Sequence, residues 1–384
     1  MRAVLGNEVV SNRRWVVPGP GLPAGLRVLA SNNNLDLTRF DGRLFFAWRT
    51  APVHFAHPDA AIHVVVSDDK GVTWSHENTL AFGRDVREPR LVEWGGRLLL
   101  YCFTAGVEGH RFEPDRVQLC TRDRGGGWTE PIPVSEPDTV VWRVRPLHGR
   151  LVMSVYRHAS TLYTTHPQPM SVELWGSDDG IDWTPLDAEH PISHVGGAEG
   201  EFLPVGDDRV LVTVRKEGPI GGWGSDICVS EPGRPARWER RRSLPRKLDS
   251  PLLFESGGRP YLIARRAPWF GGRFDLGVPW GSDLARTRLY QGVYWATPKR
   301  STLWSVDPEA LTVTPIADLG GVGDTSFGGE VALGAGRHLV FDYTSAPFPR
   351  SRPWIVGQLR PTRIYAVEVD LTQTEVAPRP SMIQ

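Results

Sequence analysis

The stretch Trp94-Gly95-Gly96-Arg97-Leu98-Leu99-Leu100 places two glycines and an arginine directly before an apolar run. Variants of this phrase recur along the 384-residue chain, with the arginine at positions 43, 97, 150, 209, 259 and 337, in steps of 54, 53, 59, 50 and 78 residues. Gly or Asp before the arginine suits the positive φ of a tight hairpin turn, and the apolar run suits a buried strand. Hairpins at this spacing predict an all-β fold, a six-bladed β-propeller of four-stranded antiparallel blades.

A second repeat alternates with the first. Its fullest copy is Ser67-Asp68-Asp69-Lys70-Gly71-Val72-Thr73-Trp74, and weaker copies end at Trp128 and Trp183. We expect the Asp to accept backbone N–H bonds, the Gly to be left-handed and the Trp to pack under a neighbouring strand. The pattern Ser-x-Asp-x-Gly-x-Thr-Trp resembles the Asp box of sialidases and related six-bladed propellers. This resemblance covers roughly residues 30 to 372 and implies a structural role for the turn.

Composition and charge narrow the class of protein. The repeats favour a single domain over residues 1–384, and 41 Gly and 33 Pro suit many turns. The balance of 44 basic against 44 acidic residues argues against nucleic acid or an anionic membrane as partners. Residues 1–8 lack the apolar core of a signal peptide, and no apolar run reaches about 18 residues. We therefore expect a cytoplasmic protein that does not cross a membrane, while its oligomeric state stays open.

An inserted loop at about 267–300 interrupts the repeat. It is rich in aromatic side chains, which are Trp269, Phe270, Trp280, Tyr290, Tyr294 and Trp295. Long loops in compact folds are commonly binding walls or lids. The aromatic residues could stack on a sugar, or the insertion could simply cover the edge of a blade.

The starts of the predicted innermost strands all carry charge. They are Asn32–Asp36, Arg87–Arg90, Trp142–Pro146, Glu199–Glu201, Asp249–Pro251 and Asp324–Ser326. The second strands end in further polar groups, among them Arg49, Arg157, Arg215, Arg265 and Tyr343. Innermost strands converge on the propeller axis, where buried charges destabilise the fold unless they are paired or functional. This ring predicts a ligand site at one mouth of the central channel.

The arginines predict an anionic ligand, because guanidinium groups bind carboxylates in a bidentate manner. The candidate substrate-binding residues are Arg87, Arg90, Arg143, Arg145, Arg215, Arg265 and Trp142. The resemblance to sialidases implies three arginines, an Asp acid/base and a Tyr–Glu nucleophile pair. The chain departs from that family because the N-terminal Phe/Tyr-Arg-Ile-Pro signature is absent, and Gly25–Leu29 does not replace it. The resemblance therefore assigns no arginine triad.

Several carboxylates could perform glycoside hydrolysis, which ordinarily uses two. The candidate catalytic residues are Asp36, Glu88, Glu199, Glu201 and Asp249, with Tyr343 as an alternative nucleophile, and Asp324 is a further carboxylate in the ring. If Arg87 and Arg90 contact Glu88, they should lower its pKa and favour a role as nucleophile or base. Glu199 and Glu201 should point the same way on a regular strand, and either one is the preferred partner of Glu88, because two carboxylates on one face can raise each other's pKa.

Three functions follow from these residues. The first is an exo-acting glycoside hydrolase for an anionic or arabinan-type sugar. The second is a uronic-acid lyase in which His54, with Arg and Tyr, moves the proton. The third is a non-catalytic carbohydrate-binding propeller. We predict no cofactor: the chain has no phosphate-binding Gly-Lys-Ser/Thr loop, and His54 and His57 have no evident third metal ligand.

The ends of the chain are expected to close the ring. Arg363–Val369 reads as a strand, and Arg14–Val17 is a suitable partner near the N-terminus. Pairing of these two segments would complete the last blade.

Overall fold

All the predicted hairpins are present in the computed structural model, which describes residues 9–109, 111–161, 168–206, 208–347 and 352–372. In each copy of the repeat, the marked arginine is the first residue of a strand. These strands are Arg43–Ala51, Arg97–Ala105, Arg150–Arg157, Arg209–Glu217, Arg259–Arg266 and Arg337–Pro347. Each pairs antiparallel with the strand before its turn, so the repeat marks the inner hairpin of every blade.

The first half of the chain forms three blades. Strand β1 (Val10–Val17) comes first but belongs to the last blade. Blade 1 contains β2 (Ser31–Phe40), β3 (Arg43–Ala51), β4 (Ala61–Ser67) and β5 (Ser75–Ala81). Blade 2 contains β6 (Asp85–Trp94), β7 (Arg97–Ala105), β8 (Pro114–Arg122) and β9 (Ile132–Pro133). Blade 3 contains β10 (Thr139–Leu147), β11 (Arg150–Arg157), β12 (Ser171–Ser177), β13 (Thr184–Pro185) and β14 (His194–Val195).

The second half forms the other three blades. Blade 4 contains β15 (Gly197–Val205), β16 (Arg209–Glu217), β17 (Trp223–Val229) and β18 (Arg240–Leu244). Blade 5 contains β19 (Leu252–Ser256), β20 (Arg259–Arg266), β21 (Arg300–Asp307) and β22 (Thr312–Thr325). Blade 6 contains β23 (Gly329–Gly334), β24 (Arg337–Pro347), β25 (Arg363–Asp370) and β1. Strand β22 also pairs with β24, which joins blades 5 and 6 into one sheet.

The N-terminal strand closes the ring, as predicted. Strand β1 pairs antiparallel with β25, with Arg14 opposite Ala366 and Trp15 opposite Tyr365. The last blade is therefore built from both ends of the described chain. Inner strands of neighbouring blades touch one another around the axis, including β2 with β6, β6 with β10 and β2 with β23. This ring of inner strands positions the charged residues at its mouth.

The turn at Ser67–Trp74 has the expected hydrogen bonds. Ser67 Oγ donates to Asp69 Oδ1 at 2.7 Å, and the Thr73 N–H donates to the same carboxylate oxygen at 2.9 Å. Gly71 is left-handed with φ +86°. The ring of Trp74 packs 5.5 Å from that of Phe46. These contacts make the turn self-contained, which suits a structural role.

The insertion contains helix as well as loop, which corrects the sequence-based expectation. Helix α1 (Asp283–Ala296) begins after Ser282, whose side chain caps the N–H of Ala285. Helix α2 (Trp354–Gln358) lies in the connection from β24 to β25, and short 3₁₀ turns occupy Ala159–Thr161 and Phe270–Gly272. Tyr290 and Tyr294 pack with Phe274 in a small buried cluster, which fixes α1 on the blades. Among the described residues, no helix has the length and apolarity needed to cross a membrane.

Candidate active site

Beta-bulges near the starts of the inner strands shape the site. In β2, β6, β10 and β15 one extra residue interrupts the register with the second strand. The bulges of β2, β6 and β15 hold Asn34, Glu88 and Glu199, with φ of 41°, 55° and 51°. Positive φ is strained for residues other than glycine, and bulges often re-aim side chains beside active sites. Here the three bulged side chains all face one cavity.

The cavity has a volume of about 360 Å³. Seven of the sequence-predicted residues line it, which are His54, Arg87, Glu88, Glu199, Arg215, Arg265 and Tyr343. The other seven are outside its lining, which are Asp36, Arg90, Trp142, Arg143, Arg145, Glu201 and Asp249. The prediction from the inner-strand starts thus selects residues around one cavity but does not distinguish its wall from the layer beneath it.

Glu88 is a buried carboxyl group that faces the cavity. Its side-chain atom Oε2 has no hydrogen-bond partner among the described residues, and the residue is 7% exposed. Burial raises the pKa of Glu88 to about 8, with a further increase from nearby Glu199, although Arg90 and Arg87 oppose it. The two arginines do act to lower this pKa, but desolvation outweighs their charge, so the net shift is upward and does not favour the expected role as nucleophile or base. Glu88 is therefore suited to hold a proton at neutral pH.

Glu199 is held in place from two sides. Its Oε1 accepts from Arg215 at 2.6 Å, and its Oε2 accepts from the backbone N–H of Ser250 at 2.7 Å. Burial raises the pKa of Glu199 and Asp249 adds to this, whereas Arg215 opposes it. Arg215 also contacts Glu217 at 3.1 Å. The carboxylate of Glu199 is thus fixed in orientation at the cavity wall.

Glu201 belongs to a different environment from Glu199. It is fully buried and pairs with Arg143 at 2.8 Å and with Arg145 at 2.6 Å. These two arginines do point the same way, as their spacing predicts. The expectation that Glu199 and Glu201 point the same way is wrong, because the bulge between Ala198 and Glu201 breaks the two-residue alternation.

The layer below the cavity is largely a set of paired charges. Asp36 contacts Arg143 at 3.3 Å and accepts the Leu91 N–H at 2.8 Å. Arg90 lies between two aromatic rings, 5.1 Å from the centre of Trp142 and 4.6 Å from that of Phe327. Burial, together with Arg143, lowers the pKa of Arg90 to about 10. These residues form the floor that supports the cavity.

Asp249 also lies behind the wall. Its carboxylate accepts from the hydroxyl of Tyr294 and lies 3.5 Å from Arg265 and 3.6 Å from Lys247. Burial alone would raise the pKa of Asp249, but Lys247, Arg265 and Arg215 lower it. This residue therefore holds arginines in position.

His54, Asp324 and Tyr343 form a connected polar chain at the cavity. Asp324 Oδ2 lies 2.7 Å from His54 Nδ1, and Asp324 Oδ1 accepts from the Tyr343 hydroxyl at 2.9 Å. Burial acts to raise the pKa of Asp324, but His54, Arg265 and Tyr343 bring it below its usual value. Burial and Asp324 raise the pKa of Tyr343 well above its usual value. Tyr343 is consequently protonated unless a neighbouring group removes its proton.

Two arginines complete the polar wall. The Nε of Arg265 donates to Thr325 O at 2.8 Å. The Nε of Arg87 donates to Asp85 at 2.5 Å, while its terminal nitrogen donates to His54 O at 3.1 Å. Both guanidinium groups are thus pre-oriented beside the cavity.

Aromatic and helical residues form the rest of the wall, and several had no clear signal in the sequence. The insertion contributes Trp295 from α1, which agrees with a role in the binding wall. Trp269, Phe270 and Trp280 are exposed and do not line the cavity. The lining residues without a sequence-based prediction include Phe55, Arg111, Phe112, Phe327, Trp354, Ile355 and Gln358, three of them from α2. Among the described residues, no cluster of three or more His, Cys, Asp or Glu side chains could hold a metal ion.

Comparisons with known proteins agree with this architecture. No protein-family model matches the chain, and a search of curated proteins finds no match. Among solved structures, a protein of unknown function from Dyadobacter fermentans is similar, with 15% identity and a TM-score of 0.61 over 88% of this chain and 94% of that chain. The fold is that of a sialidase-like propeller.

Two further solved structures support that assignment of the fold. Trypanosoma rangeli sialidase in complex with sialic acid is 14% identical, with a TM-score of 0.59 over 89% of this chain and 54% of that chain. Phage phi92 endosialidase is 11% identical, with a TM-score of 0.59 over 98% of this chain and 71% of that chain. The present chain thus spans about half the length of the trypanosomal enzyme. Similarity at such low identity shows the fold alone, so the chemistry must be inferred from the residues of the site.

Proposed function

We propose that this protein is an exo-acting glycoside hydrolase for a sugar that carries an anionic group. The observation that carries the proposal is Glu88, a buried carboxyl group with a pKa of about 8 that faces the cavity beside pre-oriented arginines. A protonated carboxyl group at neutral pH can donate to a leaving glycosidic oxygen. The sialidase-like fold is consistent with this chemistry.

Each wall residue then has a role. Arg215 and Arg265 would bind the anionic group of the sugar, since their guanidinium groups are already held by Glu199 and by Thr325 O. Glu199, fixed by Arg215 and the Ser250 N–H, would activate a water or stabilise positive charge on the sugar ring. Trp295 and Trp354 would pack against the sugar and exclude water.

Residues outside the lining support these groups. Glu201 and Asp36 hold Arg143, and Asp249 holds Arg265. We assign them positioning roles and do not place them in contact with the substrate.

A lyase is the second candidate, and one observation favours it. The His54–Asp324–Tyr343 chain could move a proton from a uronic acid while Arg265 neutralises its carboxylate. The two reactions differ in product, because only the lyase creates an unsaturated sugar. Tyr343 is central to the lyase, whereas Glu88 is central to the hydrolase.

The test is a substrate screen with matched variants. Wild type, Glu88→Gln, Tyr343→Phe and the control Glu93→Gln would be assayed on aryl glycosides of anionic and neutral sugars and on uronic-acid oligosaccharides. Glu93 is an exposed residue near the outer end of the same strand as Glu88. We expect aryl release by wild type and Glu93→Gln, and a loss of about 10²- to 10⁴-fold in Glu88→Gln. Formation of unsaturated product that survives Glu88→Gln but not Tyr343→Phe would replace the hydrolase with the lyase.

A further inference from the structure

A second cavity, separate from the candidate active site, is lined by cations. It has a volume of about 180 Å³ and lies between the start of the insertion and the connection from β18 to β19. Its charged lining residues are Arg246, Lys247, Arg265 and Arg266, and no carboxylate-bearing residue in the described part of the chain lines it. Four positive groups around one cavity repel one another unless a negatively charged group lies close to them.

The carboxylates that pair with these four cations do not themselves line the second cavity. Lys247 Nζ lies 2.7 Å from Glu217, Arg266 lies 2.8 Å from Asp318, and Arg265 lies 3.5 Å from Asp249. Asp249 serves both Lys247 and Arg265, while Asp318 also contacts Arg300 at 3.0 Å. Asp249 and Asp318 are thus each shared between at least two cations, and Arg246, Lys247, Arg265 and Arg266 keep N–H donors beyond those used.

Among the four cations, Arg246 has the fewest hydrogen-bond and ion-pair partners in the described part of the chain. Its Nε donates to Gly271 O at 3.2 Å, and its guanidinium carbon lies 6.0 Å from the centre of the Trp304 ring. Among the described residues, no carboxylate pairs with it within 4.0 Å. Its terminal nitrogens can therefore bind an anion without breaking an existing ion pair.

Burial strengthens the electrostatic attraction at this site. Lys247 is 6% exposed and Arg265 is 7% exposed, so their attraction for an anion in the cavity is only partly screened by water, while Asp249, which contacts both, offsets part of it. The volume of about 180 Å³ is far above the roughly 10–15 Å³ that one water molecule needs, so it accommodates a tetrahedral oxyanion and part of the molecule that carries it. Forked guanidinium groups suit sulfate and phosphate oxygens.

We propose that this cavity is a binding site for a sulfate or phosphate group. The group could be a free ion or an ester on a sugar. Arg246 and Lys247 would contact it directly, and Arg265, which lines both cavities, would connect it to the candidate active site. Because Arg246 does not line the candidate active site, this proposal stands or fails independently of the proposed function.

The experiment is calorimetric titration of the full chain with sodium sulfate and sodium phosphate, and with sodium acetate as a monovalent comparison, at constant ionic strength. Wild type, Arg246→Gln, Arg246→Lys and the control Arg39→Gln would be compared. Arg39 is an exposed arginine on β2, outside both cavities. We expect sulfate and phosphate to bind wild type and Arg39→Gln, at least about tenfold weaker binding in Arg246→Gln, and partial recovery in Arg246→Lys.

Thermal melts of every variant verify that it is folded. Any general stabilisation by sulfate should be equal in wild type and Arg246→Gln, so only the difference between them counts. A monosaccharide sulfate that binds more tightly than inorganic sulfate would identify the ester as the source, and equal affinities would identify the free ion. An absence of binding by both oxyanions, or unchanged binding in folded Arg246→Gln, would overturn the proposal.

Discussion

Glu199 and Glu201 lie two residues apart on one strand, yet they differ in their exposure to the cavity and in their ion-pair partners. Glu199 faces the cavity and is bound by one arginine and one backbone N–H. Glu201 is fully buried and is bound by Arg143 and Arg145. A single extra residue in the inner strand separates them. The bulge therefore decides which carboxylate can meet a ligand and which one stabilises the fold.

The same device operates around the axis. Glu88 on β6 lies at a bulge and faces the cavity, whereas Asp36 on β2 follows a bulge and pairs with Arg143 below it. Strain at the bulged residues thus places functional groups on the wall, and regular strand below the bulges carries supporting ion pairs. Substitutions of the two kinds should consequently affect different properties.

The largest expected effect is on the activity of Glu199→Gln. Loss of the cavity-facing charge should lower kcat by about 10²- to 10⁴-fold, because a general base or a charge-stabilising group is removed. The melting temperature should change little, since Arg215 retains Glu217 as a partner. Steady-state kinetics on the substrate found in the screen would measure this. Activity close to that of wild type would show that Glu199 has only a structural role.

Glu201→Gln should show the opposite balance. It removes a fully buried carboxylate charge from the buried Arg143 and the half-buried Arg145, which should cost about 3–5 kcal/mol in the free energy of unfolding. Denaturant unfolding, with Glu93→Gln as the exposed control, measures this difference. A stability equal to wild type would show that the buried pair is not needed for folding.

Gly200→Ala should disturb the bulge that separates the two residues. A Cβ on Gly200 would lie 2.5 Å from Val172 Cγ1 and 3.2 Å from Ser154 Oγ. Such overpacking costs about 1–3 kcal/mol, and displacement of Glu199 should lower activity as well. Unfolding and kinetics on the same preparation test both effects. A variant with normal stability and activity would contradict the importance of the bulge.

The last expected effect is on the pH dependence of stability. The pKa of Glu88 is raised to about 8 in the folded state, so the folded protein holds a proton that the unfolded chain releases. Wild type should therefore lose stability, relative to Glu88→Gln, by up to about 1.4 kcal/mol per pH unit between roughly pH 4.5 and pH 8. Unfolding of the two proteins across this range measures the slope. Parallel curves would show that Glu88 is ionised in the folded protein.

Much of the fold is predictable from local sequence. The arginine-marked turns predict the hairpins correctly because Gly and Asp adopt the backbone geometry of a tight turn and the apolar residues after them favour a buried strand. Ring closure by Arg14–Val17 and Arg363–Val369 follows from the same strand pattern. The helix at Asp283–Ala296 was missed because aromatic residues and Gly292 obscure its periodicity, although Ser282 is a suitable N-cap.

The site was predictable only in part. Charged residues at strand starts indicate the mouth of the channel, since apolar residues would serve packing better there. The two-residue alternation then fails at Glu199 and Glu201, because a bulge depends on pairing with the next strand. The raised pKa of Glu88 also depends on burial, which the neighbouring arginines in the sequence do not reveal. Trp354 lines the cavity from α2, and α2 lies outside the repeated hairpins on which the sequence-based prediction rests.

The protonation state of Glu88 is the most direct test of the account. Carbon-13 NMR of glutamate-labelled protein, with Glu88→Gln used to assign the signal, would give the pKa of this carboxyl group. The account predicts a pKa of about 8, so that Glu88 is protonated at neutral pH and able to act as the acid. A pKa at or below the ordinary value of about 4.3 would contradict it and remove the proton donor on which the hydrolase depends.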